Sequence, residues 1–251
     1  MLLWVFFFLF SSRRRLYKFS HIWFFWKKSV GHDLRKVGFD GWPADKMIGF
    51  DLFPRKEIVF FFAIKRETFS LFSEFWEWGH DLYRTSPSTF PALFISGDIF
   101  DPNVLSQDVL GSPALRPDNL SSLTSLNSLK GHVSAIHASL FFHLFDEETQ
   151  LDAARRTATL LCPEKGSVIF GRHYVRSTQG TRTEVLADGT VHTQFWHSPE
   201  SWRQLWEKQV FEHSRGSIRV EMELEISTEY TVMESEKDAV LYMMNWCITK
   251  L

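Results

Sequence analysis

The chain is poor in cysteine and in basic runs, and each shortage excludes a class of function. Its 251 residues include only two cysteines, Cys162 and Cys247, too few for a disulfide framework or a cysteine-rich metal centre. A reducing, cytoplasmic setting is therefore expected. The net charge is −2, and no basic run is longer than the one from Arg13 to Arg15. The sequence thus lacks the positive patch that nucleic-acid binding requires.

Several catalytic and nucleotide-binding motifs are also missing. None of the 13 glycines is separated from another by a single residue, so the paired-glycine turn of nucleotide-binding folds is absent. The sequence contains no P-loop and no G-x-S-x-G motif. His132, His137 and His173 have no metal-ligand spacing with a cysteine or an acid, and we expect no metal site.

Phenylalanine is concentrated in two stretches. Twelve of the 25 phenylalanines lie in residues 1–28 and 55–73. The first stretch fits neither a signal peptide, whose basic residues precede the apolar run, nor a transmembrane helix, which needs about 20 apolar residues. An interfacial membrane anchor at residues 1–10 remains an alternative, but we interpret both stretches as translated non-coding sequence. The predicted division is an atypical segment, 1–28, and one domain, 29–251, interrupted by 55–73.

The remainder alternates between strand and helix patterns. Apolar runs predict strands at 47–50, 92–96, 133–138 and 167–170, and residues 22–26 could replace a first strand. Helices are predicted from residue 33, over 74–84, from an N-cap at Asp146 to residue 161, and from a cap at Ser198. The runs 218–226 and 240–249 predict an antiparallel hairpin. This alternation predicts an α/β fold with a mainly parallel sheet covered on both faces.

Two buried helix faces are predicted from the spacing of apolar residues. One lies on the helix over 74–84 and the other within the polar stretch 101–130. Their members are Phe75, Trp78, Gly79, Leu82 and Tyr83 in the first case, and Leu120, Leu123, Leu126 and Leu129 in the second.

Acidic residues follow two strands that are predicted to be neighbours. Ligands of parallel sheets bind beyond the carboxyl ends of the strands. Asp51 and Asp98 stand at such ends, where carboxylates can accept hydrogen bonds from ribose hydroxyls and an adenine amine, with Ile99 packed on the ring. Either acid alone could instead cap a turn or face solvent. Together they favour a nucleoside pocket, although only Gly31 stands where a nucleotide loop ends its glycine series.

Two histidines are candidates for a catalytic role, because a histidine titrates near neutral pH. His143 lies between a predicted strand and helix, and His197 precedes the helix cap Ser198. Each could orient or deprotonate a substrate hydroxyl. The alternative for each is a histidine packed among aromatic rings and hydrogen-bonded to backbone.

The order and spacing of seven segments resemble a known family. They resemble the class I S-adenosylmethionine-dependent methyltransferases of fungal secondary metabolism, of the meroterpenoid type. The segments are residues 31–36, 40–43 with 49–52, 74–84, 97–101, 136–145, 166–171 and 197–201. The resemblance extends over most of 29–54 and 74–251.

The resemblance implies a Rossmann-like three-layer sandwich with a seven-stranded sheet, an antiparallel C-terminal hairpin and a first strand that is atypical or missing here. The residues implied to bind S-adenosylmethionine are Gly31, Asp51, Asp98, Ile99, Ala138 and Ser139. The implied reaction is methylation of a hydroxyl or carboxyl oxygen of a small-molecule intermediate, with a homodimer as one assembly. Because the family's acidic-glycine loop is absent, the alternative is a catalytically impaired methyltransferase-like partner protein.

Overall fold

A computed structural model of the chain describes residues 20–25, 30–52, 71–107, 115, 117–185, 189, 191–212, 217–226 and 241–251. The strands are β1 (Ser20–Phe25), β2 (Met47–Leu52), β3 (Leu93–Gly97), β4 (Val133–Ser139), β5 (Val168–Arg176), β6 (Gly180–Val185), β7 (Val191–Trp196), β8 (Ile218–Ile226) and β9 (Leu241–Lys250). The α-helices are α1 (Val30–Phe39), α2 (Leu71–Tyr83), α3 (Pro102–Leu105), α4 (Glu147–Leu160) and α5 (Pro199–Gln204), which continues as a π-helix over Leu205–Val210.

Seven of these strands form one sheet in the order β3-β2-β1-β4-β5-β9-β8. The five strands from β3 to β5 are parallel, and β9 is antiparallel to both β5 and β8. The first strand is present as β1, between β2 and β4. Strands β6 and β7 pair separately as an antiparallel hairpin that sequence patterns did not indicate.

Helices cover both faces of the sheet, which gives three layers. On one face α4 and α5 contribute Ala154 and Trp202 to a core with Ile136 and Ile169. On the other face α1 and α2 contribute residues such as Leu34 and Trp76 to a smaller core. Burial on both faces explains why the parallel strands are continuous apolar runs rather than alternating ones.

Capping residues begin the two main helices of the larger core as predicted. The Asp146 carboxylate accepts a hydrogen bond from the Thr149 backbone N–H at 2.8 Å. Ser198 and Ser201 form a reciprocal capping box at the start of α5. These bonds satisfy backbone donors that the first turn of a helix leaves without partners.

The predicted buried face of α2 is wrong. Trp78 is 52% exposed and Leu82 is 74% exposed, whereas Trp76 is buried. Trp76 stacks on Phe94 with ring centroids 5.1 Å apart, and the Arg35 guanidinium lies 5.0 Å from the Trp76 ring. Aromatic residues occur all around this helix, so spacing could not choose the face; contacts from α1 and β3 choose it.

The predicted helix face of leucines is also wrong. Leu126 and Leu129 are completely buried, but their backbone forms turns and a short 3₁₀-helix, Asn127–Leu129. The Asn119 side chain accepts the Ser121 N–H at 2.9 Å, and the Asn127 side chain accepts the Ser106 N–H at 2.8 Å. Such side-chain bonds to backbone compete with helix formation.

Most of both phenylalanine-rich stretches, at 1–19 and 53–70, lies outside the described residues, so the proposed division of the chain stays a prediction. Within the described part of the chain, no helix has both the length and the apolar content that crossing a bilayer requires.

Candidate functional site

The carboxyl ends of the first four strands lie side by side at one edge of the sheet. Asp51 pairs with Phe25 of β1 and with Ser96 of β3, and Phe25 pairs with Ser139 of β4. Neighbouring strands are about 4.8 Å apart. The backbones of Asp51 and Asp98, which lies two residues beyond Ser96, are therefore adjacent at this edge. The first turn of α1, which contains Gly31, follows β1 after four residues.

Asp98 is half-buried and stabilises the turn that follows β3. Its Oδ1 accepts the backbone N–H of Phe100 at 2.8 Å. A carboxylate has two oxygens and about four acceptor positions, so it can accept more than one hydrogen bond. Ile99 is completely buried in the larger core, and its contact with a ring stays a prediction.

Ser139 is held at the end of β4 by two hydrogen bonds. Its Oγ lies 2.7 Å from His137 Nε2 and accepts the Arg172 backbone N–H at 3.2 Å. Burial lowers the pKa of His137 to about 3, so the imidazole is neutral near pH 7. The serine hydroxyl and the imidazole therefore share a neutral hydrogen bond. Beside it, Ala138 is completely buried, and the assignment of both residues to the wall of the cofactor site stays a prediction.

Leu140 turns the chain out of β4 in a left-handed backbone conformation, with φ of +51°. This conformation costs about 1–2 kcal/mol for a residue with a side chain. The Leu140 N–H donates to the Arg172 carbonyl at 2.7 Å, which holds the turn. The chain then enters the 3₁₀-helix Phe142–Leu144, which carries His143. Leucine gives no sequence signal for such a turn.

His143 and His197, 54 positions apart in sequence, lie in one buried aromatic cluster around His173 of β5. The rings of His143 and His173 are 6.2 Å apart, and Trp202 contacts His173 at 4.4 Å and His197 at 5.4 Å between centroids. The spacing of His173 in the sequence fits no metal site and indicates no other role. Its alternation with Ile169 and Val175 along β5 could have indicated the core-facing side.

Burial sets the protonation state of two histidines of this cluster, His173 and His197. Trp246 Nε1–H donates to His173 Nδ1 at 3.1 Å, which puts the proton of the neutral ring on Nε2. Burial lowers the pKa of His173 well below 6.5, and the nearby His143 and His197 lower it further. Burial also lowers the pKa of His197 to about 4, and its Nδ1 lies 2.8 Å from Ser201 Oγ. His173 and His197 are therefore neutral at pH 7.

Gln150 of α4 joins the His143 turn to the hairpin. Its side chain is 1% exposed, and its Nε2 donates to the carbonyls of Phe145 at 2.9 Å and Phe195 at 2.5 Å. The Phe195 N–H also donates to the Phe145 carbonyl, at 2.8 Å. One buried amide thus fixes both chain segments that flank the histidine cluster.

Substituting Gln150 with methionine should lower the free energy of unfolding by about 2 kcal/mol, because two buried carbonyls lose a donor at similar side-chain volume. Urea unfolding followed by tryptophan fluorescence measures the change. Gln204→Met, at an exposed position on α5, is the matched control and should change stability by less than about 0.5 kcal/mol. Equal effects of the two substitutions would contradict the assigned role of Gln150.

Among the described residues, no group of three or more histidine, cysteine, aspartate or glutamate side chains is arranged to hold a metal ion.

Comparison with known proteins points to methyltransferases. No protein-family model matches the chain. It is 27% identical over 179 residues to the O-methyltransferase phiE from Fungal sp. (strain ATCC 74256), covering 71% of this chain and 46% of that protein. It is 29% identical over 193 residues to the Asnovolin E/Chermesin D methyltransferase nvfJ of Aspergillus novofumigatus, covering 77% and 54%.

A solved structure aligns at lower similarity. It is the 1,6-didemethyltoxoflavin-N1-methyltransferase of Burkholderia thailandensis with bound S-adenosylhomocysteine, which matches with a TM-score of 0.44 and 8% identity over 92% of this chain and 71% of that one. The chain spans about half the length of the curated relatives it matches. Over the shared part, the chain resembles the methyltransferases of fungal secondary metabolism.

Proposed function

We propose that the chain is an S-adenosylmethionine-dependent O-methyltransferase that acts on a hydroxyl or carboxyl group of a fungal secondary-metabolite intermediate. The similarity to phiE and nvfJ supports methyl transfer as the reaction class. The observation that carries the proposal is the register of β2 and β3, which pairs Asp51 with Ser96 and so puts two acidic positions on adjacent strand ends.

The hydrogen-bond acceptors at this edge suit the adenosine half of S-adenosylmethionine. Asp51 would accept hydrogen bonds from the ribose hydroxyls, and the Asp98 carboxylate would accept one from the adenine amine. The buried backbone of Ala138 and Ser139 would form the wall on the side of β4. When bound, S-adenosylmethionine supplies an electrophilic methyl group on a sulfonium.

The residues of this chain would contribute chiefly by positioning. A displacement at a methyl group gains most from alignment of the reacting atoms. His143, on the turn after β4, would orient the acceptor oxygen or take its proton. The pKa of His197, lowered to about 4 by burial, limits its ability to take up a proton at neutral pH, so we assign it an orienting role.

One observation favours the second candidate function, a catalytically impaired methyltransferase-like partner. The connection between β1 and α1 consists of Trp26, Lys27, Lys28 and Ser29, without a glycine. Glycines let the backbone of such a connection approach a nucleotide ligand closely. A chain whose backbone cannot approach the ligand closely would keep the fold but bind S-adenosylmethionine more weakly.

Calorimetric titration with S-adenosylhomocysteine should distinguish the two candidates. We expect micromolar binding, weakened at least about tenfold by Asp51→Asn and by Asp98→Asn, because each removes a charged acceptor. Asp98→Asn keeps an Oδ1 that can accept the Phe100 N–H, so the turn is preserved.

The matched control for both substitutions is Asp45→Asn, which removes an exposed carboxylate away from the strand ends. The affinity of this variant for S-adenosylhomocysteine should equal that of the unchanged protein. No heat at millimolar ligand would refute the methyltransferase proposal for this chain and favour the impaired partner.

A further inference from the structure

A second candidate site lies on one face of the sheet. A cavity of about 210 Å³ is formed by β4, β5, β9 and β8, on the side that α1 and α2 cover farther along the sheet. It touches Ser139 but uses neither Asp51 nor Asp98. Most of its lining residues fall into two rows that cross the strands.

The polar row contains opposite charges. Arg172 of β5 pairs with Asn245 of β9, which pairs with Glu223 of β8, so the three residues are lateral neighbours on three adjacent strands. Two strand spacings put the outer two backbones roughly 10 Å apart. A cationic and an anionic side chain thus flank a central amide.

Neither charge has a partner among the described residues. Arg172 Nε is buried and makes no hydrogen bond there, and neither Arg172 nor Glu223 has an ion pair within that part of the chain. The remaining acid of the cavity, Glu221, pairs with Arg219 at 3.1 Å. Glu223 is exposed, whereas Arg172 is half-buried with a buried Nε. Buried polar groups are normally hydrogen-bonded, so this N–H in the cavity is a donor available to an acceptor of a ligand.

The second row is uncharged apart from Glu221, which pairs laterally with Cys247 at the β8 end and is bonded to Arg219. His137 of β4, Phe170 of β5 and Cys247 of β9 are lateral neighbours one step along the same face. The rings of His137 and Phe170 are 4.9 Å apart at an interplanar angle of 31°. Burial lowers the pKa of His137 to about 3 and raises that of Cys247 to about 11, which keeps both groups neutral near pH 7.

We propose that this cavity binds a small zwitterion, an α-amino acid with an aromatic or other apolar side chain. Its carboxylate contacts Arg172, its ammonium group contacts Glu223, and its side chain lies on the row of His137, Phe170 and Cys247. A plain carboxylic acid would contact only Arg172, and a plain amine would contact only Glu223. This goes beyond the methyltransferase proposal and does not depend on it.

The test is calorimetric titration of the full chain with L-phenylalanine, 3-phenylpropionate and phenethylamine. The second probe lacks the amine and the third lacks the carboxylate. L-Phenylalanine should bind at least about tenfold more tightly than either, because only it satisfies both charges. Excess adenosine should leave this affinity unchanged, which separates the cavity from the proposed donor site.

Substitutions of the two charged residues should weaken ligand binding without unfolding the protein. Arg172→Met and Glu223→Gln should each weaken L-phenylalanine binding at least about tenfold, whereas Lys165→Met and Glu164→Gln, in an exposed turn, should not. Arg172→Lys is a second variant in case the methionine variant fails to fold, and it should also weaken binding. Equal affinity for the three probes, no binding at millimolar ligand, or full affinity in Glu223→Gln would overturn the proposal.

Discussion

Replacing Gly171 with alanine should lower the free energy of unfolding by at least about 4 kcal/mol, a very large effect for one methyl group. A Cβ at this position would overlap the backbone carbonyl of Ala138 and would lie 2.9 Å from Cζ2 of Trp246. The obstacle is backbone, so no side-chain rotation can relieve it. The substitution must therefore separate β4 from β5 at the point where Ser139 and Leu140 are anchored to Arg172.

Gly180→Ala is the matched control for this prediction. Gly180 also lies in a strand, and the nearest atom to an added Cβ is Arg176 Nη1 at 3.8 Å, an ordinary contact. Its substitution should change stability by less than about 1 kcal/mol. Chemical unfolding of both variants, followed by tryptophan fluorescence and circular dichroism, measures the difference. Similar midpoints would mean that β4 and β5 do not approach each other as closely as described.

Mild acid should destabilise the protein between pH 7 and pH 5. Burial lowers the pKa of His137 to about 3 and that of His197 to about 4, from 6.5. Below pH 6.5 the unfolded chain therefore binds protons that the folded chain does not, and stability falls with pH. At pH 5 the loss is about 2 kcal/mol for each of the two residues, about 4 kcal/mol together. His173, whose pKa is also lowered, adds to it.

The measurement is urea unfolding at pH 8, 7, 6 and 5, a range that lies above the titration of most carboxylates. Stability should be nearly constant above pH 7 and fall increasingly steeply below it. The variant His137→Gln should show a slope below pH 6 that is smaller by about 1.4 kcal/mol per pH unit, because one proton fewer is taken up on unfolding. A free energy of unfolding that is independent of pH from 7 to 5 would show that these histidines are accessible in the folded state.

Local patterns predicted the elements of this fold more reliably than their packing. The apolar runs that became β2, β3 and β4, and the caps at Asp146 and Ser198, depend on residues next to one another in the chain. The hairpin of β6 and β7 was missed, since its polar strands carry no continuous apolar run. The buried side of α2 was predicted wrongly because Arg35, which contacts it, belongs to another helix.

The candidate site divides in the same way. A strand ending in an acid is visible in sequence, so Asp51 and Asp98 could be selected before their strands were known to be adjacent. The part that His173 plays in the cluster could not be predicted, because its importance comes from Trp246, Trp202 and the two candidate histidines around it. The row of Arg172, Asn245 and Glu223 depends on the insertion of β9 between β5 and β8.

By itself, the sequence determined the alternation of strands and helices, the helix caps and the acidic strand ends, since these depend on backbone geometry and on neighbours within a few residues. Only the tertiary structure decided which charges lack partners among the described residues and which histidines are kept neutral. It also decided that the backbone of β4 lies too close to Gly171 for any side chain there. Those properties depend on desolvation and close packing between segments distant along the chain, and a linear pattern contains neither.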